Sequence, residues 1–175
     1  NVNEGFNLSY KNSNDEEFAG GIVAILETAT IENSKNTGNV IGSTNVGGIV
    51  AESKGTITQC RNDGQVSKVA GVICKTVNLG GLVGKNGEAA RLSNSKNYGN
   101  VNSETDTLVN LGGICGILYN NSIVELCENN GAISGSGKEI IPNEDTNTNC
   151  ASCTSNNGGS ASTDDFGQLN IGIIY

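Results

Sequence analysis

Val46-Gly47-Gly48-Ile49-Val50-Ala51, followed by Gly55-Thr56-Ile57-Thr58-Gln59-Cys60-Arg61-Asn62-Asp63-Gly64-Gln65-Val66, is the stretch whose reading decides the fold. It is one of four copies of a three-part pattern. Gly-Gly with two further residues, mostly apolar, recurs at Gly20-Gly21-Ile22-Val23, Gly47-Gly48-Ile49-Val50, Gly80-Gly81-Leu82-Val83 and Gly112-Gly113-Ile114-Cys115, with spacings of 27, 33 and 32 residues. Each pair is followed, 17 to 19 residues after its first glycine, by the glycine of Asn-x-Gly-x-Val/Ile. Those glycines are Gly38, Gly64, Gly99 and Gly131. Seven residues before each lies one more apolar position: Ile31, Ile57, Leu92 and Val124.

A period of about 30 residues built from such short apolar pieces is the signature of a solenoid. One coil cannot bury its own apolar side, so coils must stack. The pattern predicts an all-β, right-handed parallel β-solenoid (β-helix) of about four coils with irregular caps. Three short strands are expected per coil: Gly-Gly-Ile-Val, the strand around Ile31 and the strand around Val40. Three inward apolar ladders follow: Ile22, Ile49, Leu82, Ile114; Ile31, Ile57, Leu92, Val124; and Val40, Val66, Val101, Ile133. Asn36, Asn62, Asn97 and Asn129 form a fourth ladder, whose amides can hydrogen-bond from coil to coil. The glycine two residues later is expected to supply a positive φ at that corner. The chain divides into an N-terminal cap or half coil (1–16), the four-coil solenoid (17–135) and an irregular C-terminal segment with a final strand (136–175). That strand, Leu169-Asn170-Ile171-Gly172-Ile173-Ile174, is expected to cover the last coil, to pair with its sheet or to begin a further coil.

Composition agrees. Aromatic content is 4%, with no Trp, Met or His, so Ile, Val, Leu, Ala and Cys must fill the interior. There are 25 Gly and one Pro, Pro142, and Asn is abundant; Gly and Asn are turn residues. The net charge of −8 opposes binding to nucleic-acid phosphates. It also opposes docking on anionic lipid. No apolar run is long enough to span a bilayer, so no membrane insertion is expected. The chain opens at Asn1 without a basic or apolar leader region, so a secretion signal is expected outside this sequence.

The run from Val46 to Val66, and Leu79-Gly80-Gly81-Leu82-Val83-Gly84, resemble the GLUG repeat family. The resemblance covers about residues 17–135. It implies a β-solenoid from a secreted or cell-surface protein, since such repeats accompany bacterial immunoglobulin A peptidases, haemagglutinin-like adhesins and other large surface proteins. It also implies that the repeat carries no catalytic residues. The insert Ala70-Gly71-Val72-Ile73-Cys74-Lys75 and the C-terminal segment depart from the pattern.

The residues themselves offer little chemistry. Without His there is no Ser-His-Asp or Cys-His arrangement and no HExxH helix. No P-loop occurs, and no cofactor or metal site is expected. Asp164-Asp165 and Glu144-Asp145 are adjacent acids without the GGxGxDxUx calcium signature. Thr30 aligns with Thr56, but Arg91 and Ile123 follow in that column, too short a threonine face for ice binding. The best candidate binding surface is the outward column three residues before the later glycine: Lys35, Arg61, Lys96 and Glu128, with Glu32 and Glu125 nearby. Such a stripe suits an anionic sugar or a partner's carboxylates, or is a solvated face that limits aggregation.

Cys60 and Cys127 occupy the place of Ser34 and Ser95 and are expected to point inward, too far apart to bond. Cys115 replaces Val23, Val50 and Val83 and is expected in the core. Cys150 and Cys153 are expected to form a disulfide in an oxidising compartment, with each other or with one of them reaching Cys74. Asn7 and Asn120 stand in N-glycosylation patterns, should the source be eukaryotic. These readings predict a non-catalytic structural or adhesive module, secreted or at the cell surface, whose partner is a protein or glycan. The alternatives are a fibre subunit assembled by solenoid stacking, and a polysaccharide-binding or polysaccharide-cleaving β-helix.

Overall fold

The computed structural model describes residues 17–70, 76–103, 110–119 and 121–135 with their side chains. It describes 2–3, 8–11, 104, 108–109, 136, 149–151, 154–155, 160–161 and 170–172 by backbone alone. Two strands come first, β1 (Val2–Asn3) and β2 (Leu8–Lys11). The first coil is β3 (Glu17–Gly20), β4 (Val23–Leu26), β5 (Thr30–Glu32), β6 (Lys35–Asn36) and β7 (Val40–Gly42). The second is β8 (Asn45–Gly47), β9 (Val50–Ser53), β10 (Thr56–Thr58), β11 (Arg61–Asn62) and β12 (Val66–Lys68). The third is β13 (Thr76–Gly80), β14 (Val83–Asn86), β15 (Arg91–Ser93), β16 (Lys96–Asn97) and β17 (Val101–Glu104). The fourth is β18 (Leu108–Gly112), β19 (Cys115–Leu118), β20 (Ile123–Glu125), β21 (Glu128–Asn129) and β22 (Ile133–Ser136). Four more follow: β23 (Asn149–Ala151), β24 (Thr154–Ser155), β25 (Ser160–Ala161) and β26 (Asn170–Gly172).

Equivalent strands of successive coils pair in parallel, which makes the chain a β-solenoid of about four coils with five stacked sheets. The register is that of the repeat: Ile31, Ile57, Leu92 and Val124 stand in line, as do Val40, Val66, Val101 and Ile133. Among the described strands only β2 pairs antiparallel, with β3. At the other end β23, β24, β25 and β26 extend four of the five sheets by one rung. The final strand pairs with its sheet: Asn170, Ile171 and Gly172 lie beside Asn110, Leu111 and Gly112.

Each coil holds five strands, where three were expected. Gly-Gly is a bend, not the start of a strand: one strand ends on its first glycine and the next begins three residues after that glycine. A Cβ on that first glycine would collide with the carbonyl oxygen three residues on, Val23, Val50, Val83 or Cys115. The second glycine faces across the coil. A Cβ on Gly21, Gly48, Gly81 or Gly113 would collide with the amide of Asn36, Asn62, Asn97 or Asn129 respectively. Two motifs far apart in each repeat are therefore two sides of one contact.

That contact is a waist. On one side of it lies a core of Ile49, Val50, Ile57, Leu82, Leu92, Ile114, Val124 and their neighbours. On the other lies a separate core of Ala19, Val40, Val46, Val66, Val77, Leu79, Val101, Leu111 and Ile133. Between them runs the asparagine ladder, fully or almost fully buried. Asn36 Nδ2 donates to Asn62 Oδ1 at 2.8 Å, Asn62 to Asn97 at 2.9 Å, and Asn97 to Asn129 at 2.8 Å. Each asparagine also donates to the carbonyl of the glycine two residues on and accepts from that glycine's N–H. A buried polar row is tolerable only when so fully bonded.

The expected positive φ lies elsewhere. Gly64, Gly99 and Gly131 do not adopt it; a Cβ on each would collide with the carbonyl of the equivalent glycine one coil below. They are glycines because the coils approach closely there. The left-handed corner lies earlier, right after the third strand of each coil, at Asn33, Gln59, Asn94 and Leu126, with φ of 49°, 53°, 48° and 53°. A second asparagine ladder stands on the opening sheet. Asn78 Nδ2 donates to Asn45 Oδ1 and Asn110 Nδ2 to Asn78 Oδ1, both at 2.7 Å. Its signal is in the sequence, since Asn45, Asn78, Asn110 and Asn170 each stand two before a glycine.

Candidate functional site

β6, β11, β16 and β21 are two residues long, and successive side chains of a strand point to opposite faces. The asparagine turns in to the waist. Lys35, Arg61, Lys96 and Glu128 are therefore carried outward in one column, in register. The residue after each asparagine (Thr37, Asp63, Tyr98, Asn130) turns outward again and makes a second column beside the first. The structure thus brings the four expected residues together and adds Asp63, Tyr98 and Asn130. The signal for these was the unspecified middle position of Asn-x-Gly.

The stripe is internally paired. Asp63 sits between two cations, 2.9 Å from Lys35 Nζ and 2.5 Å from Arg61 Nε. Lys96 Nζ is 2.8 Å from Glu128. Asn130 Nδ2 donates to the same carboxylate at 2.8 Å. The Arg61 guanidinium also lies over the Tyr98 ring, 4.3 Å from its centroid, a favourable cation–π placement. Partial burial of Asp63 would raise its pKa, but hydrogen bonds from Arg61 and Lys35 outweigh it and hold the carboxyl below its ordinary value. The hydrogen bond that Arg61 donates to Asp63 raises the pKa of Arg61, and the one that Lys96 donates to Glu128 raises that of Lys96. Three cations against two carboxylates leave the stripe weakly positive on an acidic chain. Asp63 is thus an ionised acceptor and a poor general acid at neutral pH.

Glu32 and Glu125 stand on the neighbouring sheet, on β5 and β20. Glu125 binds Arg91 Nη1 at 2.8 Å. A further network covers the second sheet. Lys54 lies 3.2 Å from Glu27 and 4.0 Å from Glu52, Lys85 lies 3.4 Å from Glu52, and Lys85 also stands over Tyr119 at 5.3 Å.

Cys60, Cys115 and Cys127 are buried and unbonded, as their columns require. Burial raises the pKa of all three thiols, that of Cys127 to about 11. They are protonated at physiological pH and poor nucleophiles. Cys74 and Cys153, residues 71–75 of the insert around Cys74, and the two glycosylation patterns' asparagines, Asn7 and Asn120, lie outside the described residues. So does the side chain of Cys150, whose backbone belongs to β23. Among the described residues no group of three or more Cys, Asp or Glu is placed to hold a metal ion. No family model, no curated protein and no solved structure matches the chain.

Proposed function

We propose that the chain is a non-catalytic structural or adhesive module of a secreted or cell-surface protein, of the GLUG-repeat kind. In this reading a stiff column presents its outer stripe to a protein or glycan partner. One observation carries it: among the described residues, the asparagines, cysteines and cations that could do chemistry are engaged in building the column. The asparagines bond each other, Cys60, Cys115 and Cys127 fill core columns, and Lys35, Arg61 and Lys96 each have a carboxylate partner. The test is a screen of the purified protein against glycan and extracellular-protein arrays, run beside incubation with acidic polysaccharides. Binding without cleavage is expected, weakened when Lys35, Arg61 and Lys96 are changed together to Ala. Polysaccharide turnover lost in Arg61→Ala would overturn the reading in favour of an enzyme; binding to nothing would also overturn it, without favouring an enzyme.

A second reading, a fibre subunit, is favoured by the second sheet. Among the described residues its four strands end at β4 on one side and β19 on the other, while the remaining sheets carry five or six. Parallel strand ends of this kind can add a further chain head to tail. Filaments in electron micrographs of the purified protein would support it; a monodisperse monomer at high concentration would exclude it.

A further inference from the structure

The corner between the second and third sheets is built from two columns. One holds Leu26, Ser53, Asn86 and Leu118, stacked by Lys54 N–H to Leu26 O, Gly87 N–H to Ser53 O and Tyr119 N–H to Asn86 O at 2.7, 2.7 and 3.0 Å. The other holds Ala29, Gly55, Ala90 and Ser122, stacked by Thr56 N–H to Ala29 O, Arg91 N–H to Gly55 O and Ile123 N–H to Ala90 O at 3.0, 3.0 and 2.8 Å. The columns meet with an offset of one rung: a Cβ on Gly55 would stand 3.0 Å from Leu26 Cγ. Repeated upward by the stacking of each column, the same offset would set Ala90 against Ser53 and Ser122 against Asn86.

Lower down, Leu26 fills this corner. Above it the filling is smaller and polar. Ser53 and Asn86 are completely buried and Ser122 nearly so. Among the described residues, Ser53 Oγ, Ser122 Oγ and both amide atoms of Asn86 find no hydrogen-bond partner. Ser103 Oγ, on β17, is one further such atom, standing alone away from this corner, whereas the waist asparagines are bonded at every atom. A buried donor or acceptor left alone costs about 1–3 kcal/mol. Native proteins relieve such groups with internal water wherever two to four polar atoms converge in enough space.

We propose that Ser53, Asn86 and Ser122 form an internal hydration site, with Leu26 below it and Leu118 above. Its ligand is water, held by the Asn86 amide as donor and acceptor and by the two serine hydroxyls. The site lies inside the coil and is independent of the outer stripe.

The test is water–protein cross-relaxation by NMR on the intact chain, beside a high-resolution crystal structure. A persistent cross-peak between water and the Asn86 side-chain amide is expected. It is expected to vanish in Asn86→Leu, which repeats the Leu26 filling two rungs higher in the same column. Ser122→Ala, which restores the residue this column carries at 29 and 90, is expected to weaken it several-fold while the fold stays intact. That variant keeps the proposal testable should Asn86→Leu fail to fold. Absence of the cross-peak in the native chain would overturn the proposal, as would an unchanged cross-peak in Ser122→Ala or a crystal structure with Asn86 bonded directly to protein.

Discussion

Leu126 occupies a left-handed corner that Asn33 and Asn94 fill in two other coils, and its side chain is 55% exposed. Asparagine tolerates this backbone and leucine does not, at about 1–2 kcal/mol for an ordinary residue. Leu126→Asn is therefore expected to stabilise the chain by about 0.5–1 kcal/mol in urea denaturation, with nothing lost from the core. Asn62 is the opposite case. It bonds the asparagines above and below it and both backbone groups of its own turn, at Gly64. Asn62→Ala is expected to cost about 2–5 kcal/mol, since it orphans buried groups on several sides. Asn78→Ala, in the half-buried second ladder, is expected to cost visibly less in the same measurement. Cys127 sets a limit in alkali. A thiol whose folded pKa is raised adds stability that is whole below the unfolded thiol's value of 9.0 and is lost as pH climbs through about 11. The loss is on the order of 2–3 kcal/mol for two pKa units. Denaturation midpoints under reducing conditions are expected to fall across that window, less steeply in Cys127→Ser, which adopts the residue of Ser34 and Ser95.

At the scale of elements, the stripe on β6, β11, β16 and β21 is a ladder of ion pairs more than an open anion site. Asp63→Asn leaves Lys35 and Arg61 without their shared carboxylate. Both cations are well exposed, so the expected loss is no more than about 1 kcal/mol and shrinks with salt. Its pH dependence has a definite sign. Asp63 has a lowered folded pKa, so its contribution is present above the ordinary carboxyl value of 3.8 and disappears as pH falls through the lowered one. The gap between the native chain and Asp63→Asn is expected to be open at neutral pH and closed in strong acid, as read from paired denaturation curves. The ladders, the inward cysteines and the Lys35–Glu128 column were legible because each falls at one fixed position of every repeat. The waist was not. It depends on an asparagine meeting a glycine some 15 residues earlier across the coil, and nothing local in either motif announces the other. Gly64, Gly99 and Gly131 misled for the same reason: their need is set by the coil below, while glycine in a turn reads first as backbone freedom. The pairing of the cations was hidden in the middle residue of Asn-x-Gly, which varies from coil to coil.

For the whole molecule, stacking makes position along the column matter. Ile57 and Leu92, in inner coils, are completely buried, while Ile31, equivalent to them in the first coil, is only partly buried. Ile57→Ala is expected to cost about 2–5 kcal/mol and Ile31→Ala distinctly less. Amide exchange is expected to be slowest in β8–β17 and faster toward β4 and β5, as for other stacked repeats. The waist has one more consequence. Residues 43–44 join β7 to β8, whereas residues 69–75 join β12 to β13, yet the asparagine ladder returns to the same register after both. The ladder acts as a ratchet tooth: each coil engages it once per turn, whatever length of chain was spent in between. Extra chain between one coil and the next can then accumulate without error passing along the column, which leaves those connections free to diversify while the column keeps its pitch.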